Sequence, residues 1–577
     1  MKKYNRLETE GEVNISCPLS YYPRPLLKRS EHENLYMNLN GVWKYEIVKT
    51  DAISDFASLE FRNDILVPYA VESPLSMVER RLESDEYLIY RKEFTFCPEK
   101  NRTILHFGAV DNECEIYLNG NLAGSHIGGY LPFSFDVTDY LEENNTLIVK
   151  VRDRLDHHHP YGKQRKDNGG IWYTPVSGIW KTVWLESVDE KRIEKIDVNA
   201  DADNGTVELL FTETECSVKK VTVSLGDKEL LSFEEENEKA CFTLPEVSLW
   251  SPKNPALYTF TVETETDRVE SYFALRKIEL KYRNGFKVFY LNNEPLFMHG
   301  LLDQGYYPDG IYTPKALETV LNDLITIKEL GFNTLRKHIK IEDETWYYLC
   351  DRMGIIVWQD FVNSMPYDFF RDSALPTVGI RKLKDKGFPE EDKEYFIQHS
   401  IDTINHLRNH PSIVLWTIFN EGWGQFDTEE VYERIKVHDD TRIFDVTSGW
   451  FDCKSSSLDS RHVYFKPVKI TEKDERALVI SEFGGYSLAT PGHMYSKKTF
   501  GYKGFKDRAS YNKAFFDLYM NDIVSNIDKG VCASIYTQVS DVEEEINGIM
   551  TYDRAVVKLD REVADLVSKE IHGKFKG

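Results

Sequence analysis

The spacing of apolar and polar positions divides the chain into two strand-rich stretches and a third of different period. Residues 35–186 alternate every second position and are interrupted by turns. The run Glu113-Cys114-Glu115-Ile116-Tyr117-Leu118 leads into Asn119-Gly120, a pair that accepts positive φ at both positions and so closes a tight hairpin. No helical period competes, which predicts a β-sandwich. Residues 187–276 keep the two-residue period, as in Thr206-Val207-Glu208-Leu209-Leu210-Phe211 and Tyr258-Thr259-Phe260-Thr261-Val262. Their length fits an immunoglobulin-like sandwich, although the paired cysteines and core tryptophan of antibody domains are missing.

From residue 277 to 577 the period changes to helices alternating with short, continuous apolar runs, the pattern of a parallel sheet covered on both faces. Thr313-Pro314 reads as a helix start, with a capping residue and a first-position proline, Leu317, Leu321 and Leu324 on the inner face, and Gly331 as the stop. The same reading places strands at 297–300, 334–336, 355–358, 413–419, 443–447, 462–465, 478–481 and 531–537. Eight strands separated by helices predict a (β/α)8 TIM barrel.

Composition narrows the function classes. A chain of 577 residues exceeds one core and implies several domains. The formal charge of −24 disfavours nucleic acid and anionic membranes as partners, because both require concentrated positive charge. No apolar run is long enough to span a bilayer, and the polar N-terminus lacks the pattern of a secretory signal, so a cytoplasmic protein is expected. The eight cysteines, Cys216 among them, have no metal-like or redox-like spacing and are expected to be reduced thiols.

In a TIM barrel the chemistry sits where strands end at the carboxyl face. The run 413–419 leads directly into Asn420-Glu421-Gly422-Trp423-Gly424, and the run 478–480 into Ser481-Glu482-Phe483-Gly484-Gly485. Each puts a glutamate at a strand mouth, on the fourth and seventh strands, which face each other across a closed barrel. Two carboxylates across a pocket are what glycoside hydrolysis requires, and a separation of roughly 5 Å would favour a covalent, retaining route. Asp303 and Gln304, Arg336 with Lys337 and His338, Trp358 with Gln359 and Asp360, and Tyr536 and Gln538 follow other strands and are candidates for shaping a sugar pocket. His462 and Tyr464 near the sixth strand join them. Arg336 fits either a sugar contact or an ion pair that braces the Glu482 carboxylate.

Asn420-Glu421, Ser481-Glu482-Phe483-Gly484-Gly485 and Pro175-Val176-Ser177-Gly178-Ile179-Trp180 resemble the hallmarks of family 2 glycoside hydrolases, which include β-galactosidases, β-glucuronidases and β-mannosidases. The resemblance implies a jelly-roll sugar-binding-type domain (1–186), an immunoglobulin-like domain (187–276) and a catalytic barrel (277–577). It also implies Glu421 as acid/base, Glu482 as nucleophile and Asn420 as the partner of the substrate 2-hydroxyl. Trp423, beside Glu421, would supply a low-polarity wall.

The Leu302-Asp303-Gln304-Gly305-Tyr306 and Trp358-Gln359-Asp360 stretches resemble members labelled β-galactosidase, so a terminal β-galactoside is the expected substrate of an exo-acting enzyme. The family's Asn-x-Lys uronate motif is absent from the barrel's second half. A β-glucuronidase or β-galacturonidase would therefore need another carboxylate clamp, for which the basic loop 495–503 is a candidate. A carbohydrate-binding protein without turnover is the reading from another class. No organic cofactor is called for, and His157-His158-His159 cannot all point at one ion, so no metal is expected. The polar, glycine-containing segment 157–172 is expected to reach the barrel mouth, and a homo-oligomer is compatible with the sequence.

Overall fold

The computed structural model describes residues 4–51, 59–214, 218–377, 379–380, 386–471 and 474–576. Two β-sandwiches precede a barrel. The first sandwich packs a six-stranded antiparallel sheet, built around Gly41–Lys49, Glu86–Phe94 and Asn145–Arg152, against a four-stranded sheet containing Arg102–Phe107 and Val183–Val188. Their inward alternate residues, such as Trp43, Leu88, Leu105, Ile116 and Val149, form one apolar core. The Glu113–Leu118 and Asn121–Ile127 strands pair through Asn119-Gly120, both with positive φ, as the hairpin signal requires. The second sandwich sets three strands beginning at Ile193–Asp201 against four that include Lys219–Leu225 and Tyr258–Glu263.

A hairpin, Ile278–Arg283 and Phe286–Leu291, then plugs the barrel floor, where Phe289 meets Trp358 at a ring separation of 6.1 Å. The barrel strands are β1 (Met298–Asp303), β2 (Thr334–Lys337), β3 (Ile356–Asp360), β4 (Ile413–Asn420), β5 (Ile443–Ser448), β6 (Leu458–Val463), β7 (Ala477–Gly484) and β8 (Val531–Thr537). They form one parallel sheet in the order 5-4-3-2-1-8-7-6. Between β5 and β6 the ring is bridged by side chains: Ser460 Oγ donates to Asp445 Oδ2 at 2.6 Å and lies 3.3 Å from Ser448 Oγ. No helix among the described residues is long and apolar enough to cross a membrane.

Two element expectations are corrected. β6 runs over Leu458–Val463 rather than 462–465, because its interior face carries Ser460 and His462 and so lacks the apolar run used to find the other strands. The first barrel helix, α1 (Leu317–Glu329), begins after Thr313-Pro314. The Thr313 hydroxyl instead donates to Trp180 O at 2.6 Å, fastening the barrel to the first sandwich. The seven cysteines among the described residues are free thiols, and Cys216 lies outside them.

Candidate active site

β4 ends at Asn420, and the chain then turns through Glu421 (φ 53°) and Gly422 (φ 71°). A Cβ at Gly422 would stand 2.2 Å from the Phe451 ring, so the turn requires glycine there. Holding Glu421 in the left-handed region costs on the order of 1 kcal/mol or more. Its backbone N–H donates to Ser448 O at 2.8 Å, which ties the turn to the end of β5. Glu482 lies within β7, buried, on the opposite side of the same mouth.

His462 stands between the two carboxylates. Its Nδ1 is 2.8 Å from Glu421 Oε1, and its Nε2 is 3.6 Å from Glu482 Oε1. One carboxylate oxygen from each glutamate and a His462 nitrogen all lie within 4.8 Å of one another. Arg336 Nη1, which can only donate, faces His462 Nε2 at 3.3 Å, and Ser448 Oγ lies 2.9 Å from the same nitrogen. Nδ1 thus faces Glu421, and Nε2 faces Arg336 and Ser448.

Arg336 is the hub below this pair. Fully buried, it donates through Nε to Asp360 Oδ1 (3.0 Å), through Nη1 to Glu482 Oε1 (3.0 Å) and Ser481 O (3.1 Å), and through Nη2 to Asn420 Oδ1 (2.9 Å). Its ion pair with Glu482 is the contact that the bracing role requires. A guanidinium with this many committed donors fixes three strand ends at once, and a lysine could not reproduce the fork. His338 Nδ1 lies 2.8 Å from Asp360 Oδ2, on the same carboxylate that Arg336 Nε reaches.

Burial opposes charge on Glu482, but His462, Arg336 and His338 outweigh it and hold the carboxyl well below the usual carboxylate range. Tyr464 OH also donates to Glu482 Oε2. Asp360 follows the same logic: burial pushes it up, while Arg336 and His338 bring it below its ordinary value. Burial lowers His338.

Above Glu421 opens a cavity of about 560 Å³. His462 and Tyr464 line it, as do Gly169, Gly170, Ile171 and Trp172 of the first sandwich, so the segment 157–172 does reach the mouth. Trp423 does not line the cavity but backs Trp172, edge to face at 5.0 Å. From the basic loop, Phe500 and Tyr502 rather than the lysines line the cavity. Lys498 pairs with Glu544 at 2.8 Å, and Lys497 and Lys503 are exposed.

Several other sequence candidates are engaged with partners other than Glu421 and Glu482. Trp358 is buried toward the barrel floor, its Nε1 on Met298 Sδ at 3.0 Å. Tyr536 faces outward onto Phe515 and Tyr519. Gln538 is buried and donates to Asn547 Oδ1 at 2.8 Å. Asp303 is held by Lys337 Nζ at 2.6 Å, and Gln304 is buried beside it in sequence with Oε1 unpaired among the described residues.

The three histidines of 157–159 diverge: His158 bonds Asp392 at 2.9 Å, His157 packs on Tyr161 and His159 on Tyr395. Glu421, His462 and Glu482 are close enough to converge on a cation. However, both His462 nitrogens are engaged, and the Arg336 guanidinium 3.0 Å from Glu482 already supplies the positive charge.

Sequence reasoning missed the buried run Glu543-Glu544-Glu545 after β8. Glu543 accepts from Thr174 N at 2.7 Å, Glu544 from Gly170 N at 3.2 Å, and Glu545 from Tyr173 OH. Three adjacent acids after an apolar strand were the available signal for this clasp. Lys163 was missed as well. Its Nζ stands 5.6 Å from the Trp172 ring centroid, near enough to His338 and Glu545 to influence both, and no carboxylate pairs with it among the described residues.

Three models of one family match in tandem: "Glycosyl hydrolase 2 galactose-binding domain-like" over residues 68–180, "Glycosyl hydrolases family 2" over 179–276, and "Glycosyl hydrolases family 2, TIM barrel domain" over 281–565. A β-glucuronidase of Streptococcus agalactiae is 26% identical over 425 residues, covering 69% of this chain and 68% of its own. A β-galactosidase of Thermoanaerobacter pseudethanolicus is 26% identical over 364 residues, covering 59% of this chain and 45% of its own. The chain thus spans about half to two thirds of the length of these curated relatives. Among solved structures, a β-glucuronidase from an uncultured Clostridium sp. superposes with a TM-score of 0.73 at 18% identity, covering 95% of this chain and 100% of its own.

Proposed function

The chain belongs to glycoside hydrolase family 2, and from that premise we propose that it hydrolyses terminal β-linked glycosides with retention of configuration. One observation carries the reading: oxygens of Glu421 and Glu482 lie within 4.8 Å, a gap that suits direct attack by one carboxylate and leaves no room for an inverting water. Glu482, held ionised by Arg336 and Tyr464, attacks the anomeric carbon. Glu421, whose Oε1 is occupied by His462, presents its other oxygen to the glycosidic oxygen, protonates the departing group and then deprotonates the incoming water. Asn420, its carbonyl oxygen fixed by Arg336, turns its amide nitrogen to the sugar 2-hydroxyl. The test is exposure to 2-deoxy-2-fluoro-β-glycosyl fluorides followed by mass spectrometry. A stable adduct on Glu482 supports the reading, and labelling elsewhere or none across a panel of sugars overturns it.

Tyr464→Phe removes the hydrogen bond to Glu482 Oε2. Because that bond stabilises the ionised form, its loss raises the Glu482 pKa, and the acidic limb of kcat/KM moves to higher pH. A fall in kcat of roughly tenfold to a hundredfold is expected, with Tm little changed. An unmoved acidic limb would remove Tyr464 from the machinery.

For the sugar, a galactoside is the reading drawn from sequence, and Lys163 favours a second, a uronide. Lys163 has no ion pair among the described residues, stands 5.6 Å from the Trp172 ring centroid and is close enough to His338 and Glu545 to influence both. A uronate carboxylate is a partner that such a cation can bind. The relatives named above include both a β-glucuronidase and a β-galactosidase. Lys163→Met should reduce kcat/KM on aryl β-glucuronide or β-galacturonide by roughly tenfold to a hundredfold and leave the aryl β-galactoside rate unchanged. Equal rates on uronides before and after substitution would discard the clamp.

A further inference from the structure

We propose that the cavity beside Glu421 is a leaving-group site for flat aromatic aglycones. This rests on the assignment of Glu421 as proton donor. A general acid must lie next to the glycosidic oxygen, so the space into which Glu421 opens, away from the buried Glu482, is where the departing group sits.

The walls of that space are aromatic. Trp172 packs against Tyr367, Phe465 and Phe500 pack against Tyr502, and these rings together with Phe369 line it. Trp172 is fixed edge to face against Tyr367 at 4.9 Å, and Tyr502 stacks on Tyr464 at 3.9 Å, so these rings are held in place. At the rim, Phe369 and Phe465 are 61% and 69% exposed. Large rings left in water around the mouth of an apolar cavity are the signature of a surface completed by a ligand.

A sugar as leaving group presents a hydroxyl on nearly every carbon and needs convergent donors and acceptors. The polar groups here are largely taken: Ser373 Oγ and Tyr367 OH bond each other at 2.5 Å, and Gly170 N–H goes to Glu544. Beyond Glu421 and His462, Lys466 at the exposed edge is the one charged side chain among the described lining residues. A phenolic or fused-ring aglycone needs only ring faces to stack on, and a volume of about 560 Å³ holds one.

The test uses inhibitors that do not turn over. Ki is measured for the 2-naphthyl, methyl and glucosyl 1-thio-β-glycosides of both galactose and glucuronic acid, against wild type and the Phe369→Ala/Phe465→Ala double variant. For the sugar that binds, naphthyl should inhibit roughly tenfold or more tightly than methyl, and glucosyl no better than methyl. The double variant should lose most of the naphthyl advantage while the methyl Ki shifts less than about twofold. Glucosyl binding as tight as naphthyl, or a naphthyl preference untouched by the double variant, overturns the proposal. Labelling of Glu482 by a fluorosugar whose leaving group is fluoride does not depend on this cavity. A labelled enzyme without naphthyl preference therefore refutes the aglycone site alone, whereas failure to label refutes the assignment of the glutamates.

Discussion

Glu482→Ala is expected to lower kcat on every glycoside substrate by roughly 10⁵-fold or more, the scale at which the loss of a covalent nucleophile removes the chemical route rather than slowing it. Arg336 keeps Asp360, Asn420 and Ser481 O as partners, so the barrel mouth should remain assembled. A Tm within a few degrees of wild type checks that. The diagnostic product comes from adding azide with a 2,4-dinitrophenyl β-glycoside. Azide enters the space vacated by the carboxylate and attacks the face opposite the departing phenol, so a single inversion gives the α-glycosyl azide. Activity within a hundredfold of wild type, or an azide product of β configuration, would remove Glu482 from the nucleophile role.

Both glutamates were legible in the sequence for a physical reason. Barrel strands buried on both faces read as unbroken apolar runs, so a carboxylate at the end of such a run stands out. The same property hid which way a strand-end side chain turns. In β3 and β8 the period-2 alternation carries no contrast, so Trp358 and Tyr536 looked as well placed as Arg336, although one packs toward the floor against Phe289 and the other outward onto Phe515.

β6 was misplaced for the opposite reason. Its interior residues Ser460 and His462 are polar because they serve the network between the glutamates, so the strand most involved in the chemistry has the weakest strand signal. Lys163 and the Glu543-Glu544-Glu545 clasp depend on contacts between the first sandwich and the barrel. Glu543 and Thr174 are 369 residues apart, a distance over which no local pattern can report.

Glu421→Ala should produce a loss that depends on the leaving group, because a general acid matters in proportion to how poorly the departing oxygen bears negative charge. Alkyl and sugar leaving groups need the proton as the bond breaks, and kcat/KM for them should fall by about 10³-fold. A 2,4-dinitrophenyl glycoside needs no proton, so its first step should proceed at close to the wild-type rate. The glycosyl-Glu482 ester should then accumulate and appear as a burst, since the group that deprotonates the incoming water is gone. Azide needs no base. It should restore turnover of the activated substrate and, entering on the face from which the aglycone left, yield the β-glycosyl azide by double inversion. The two variants thus give opposite anomers from one added anion, which separates the roles of two carboxylates whose oxygens lie within 4.8 Å. Equal losses on activated and unactivated substrates, with no burst and no β-azide, would show that Glu421 is not the acid/base and that the His462 hydrogen bond to it serves structure alone.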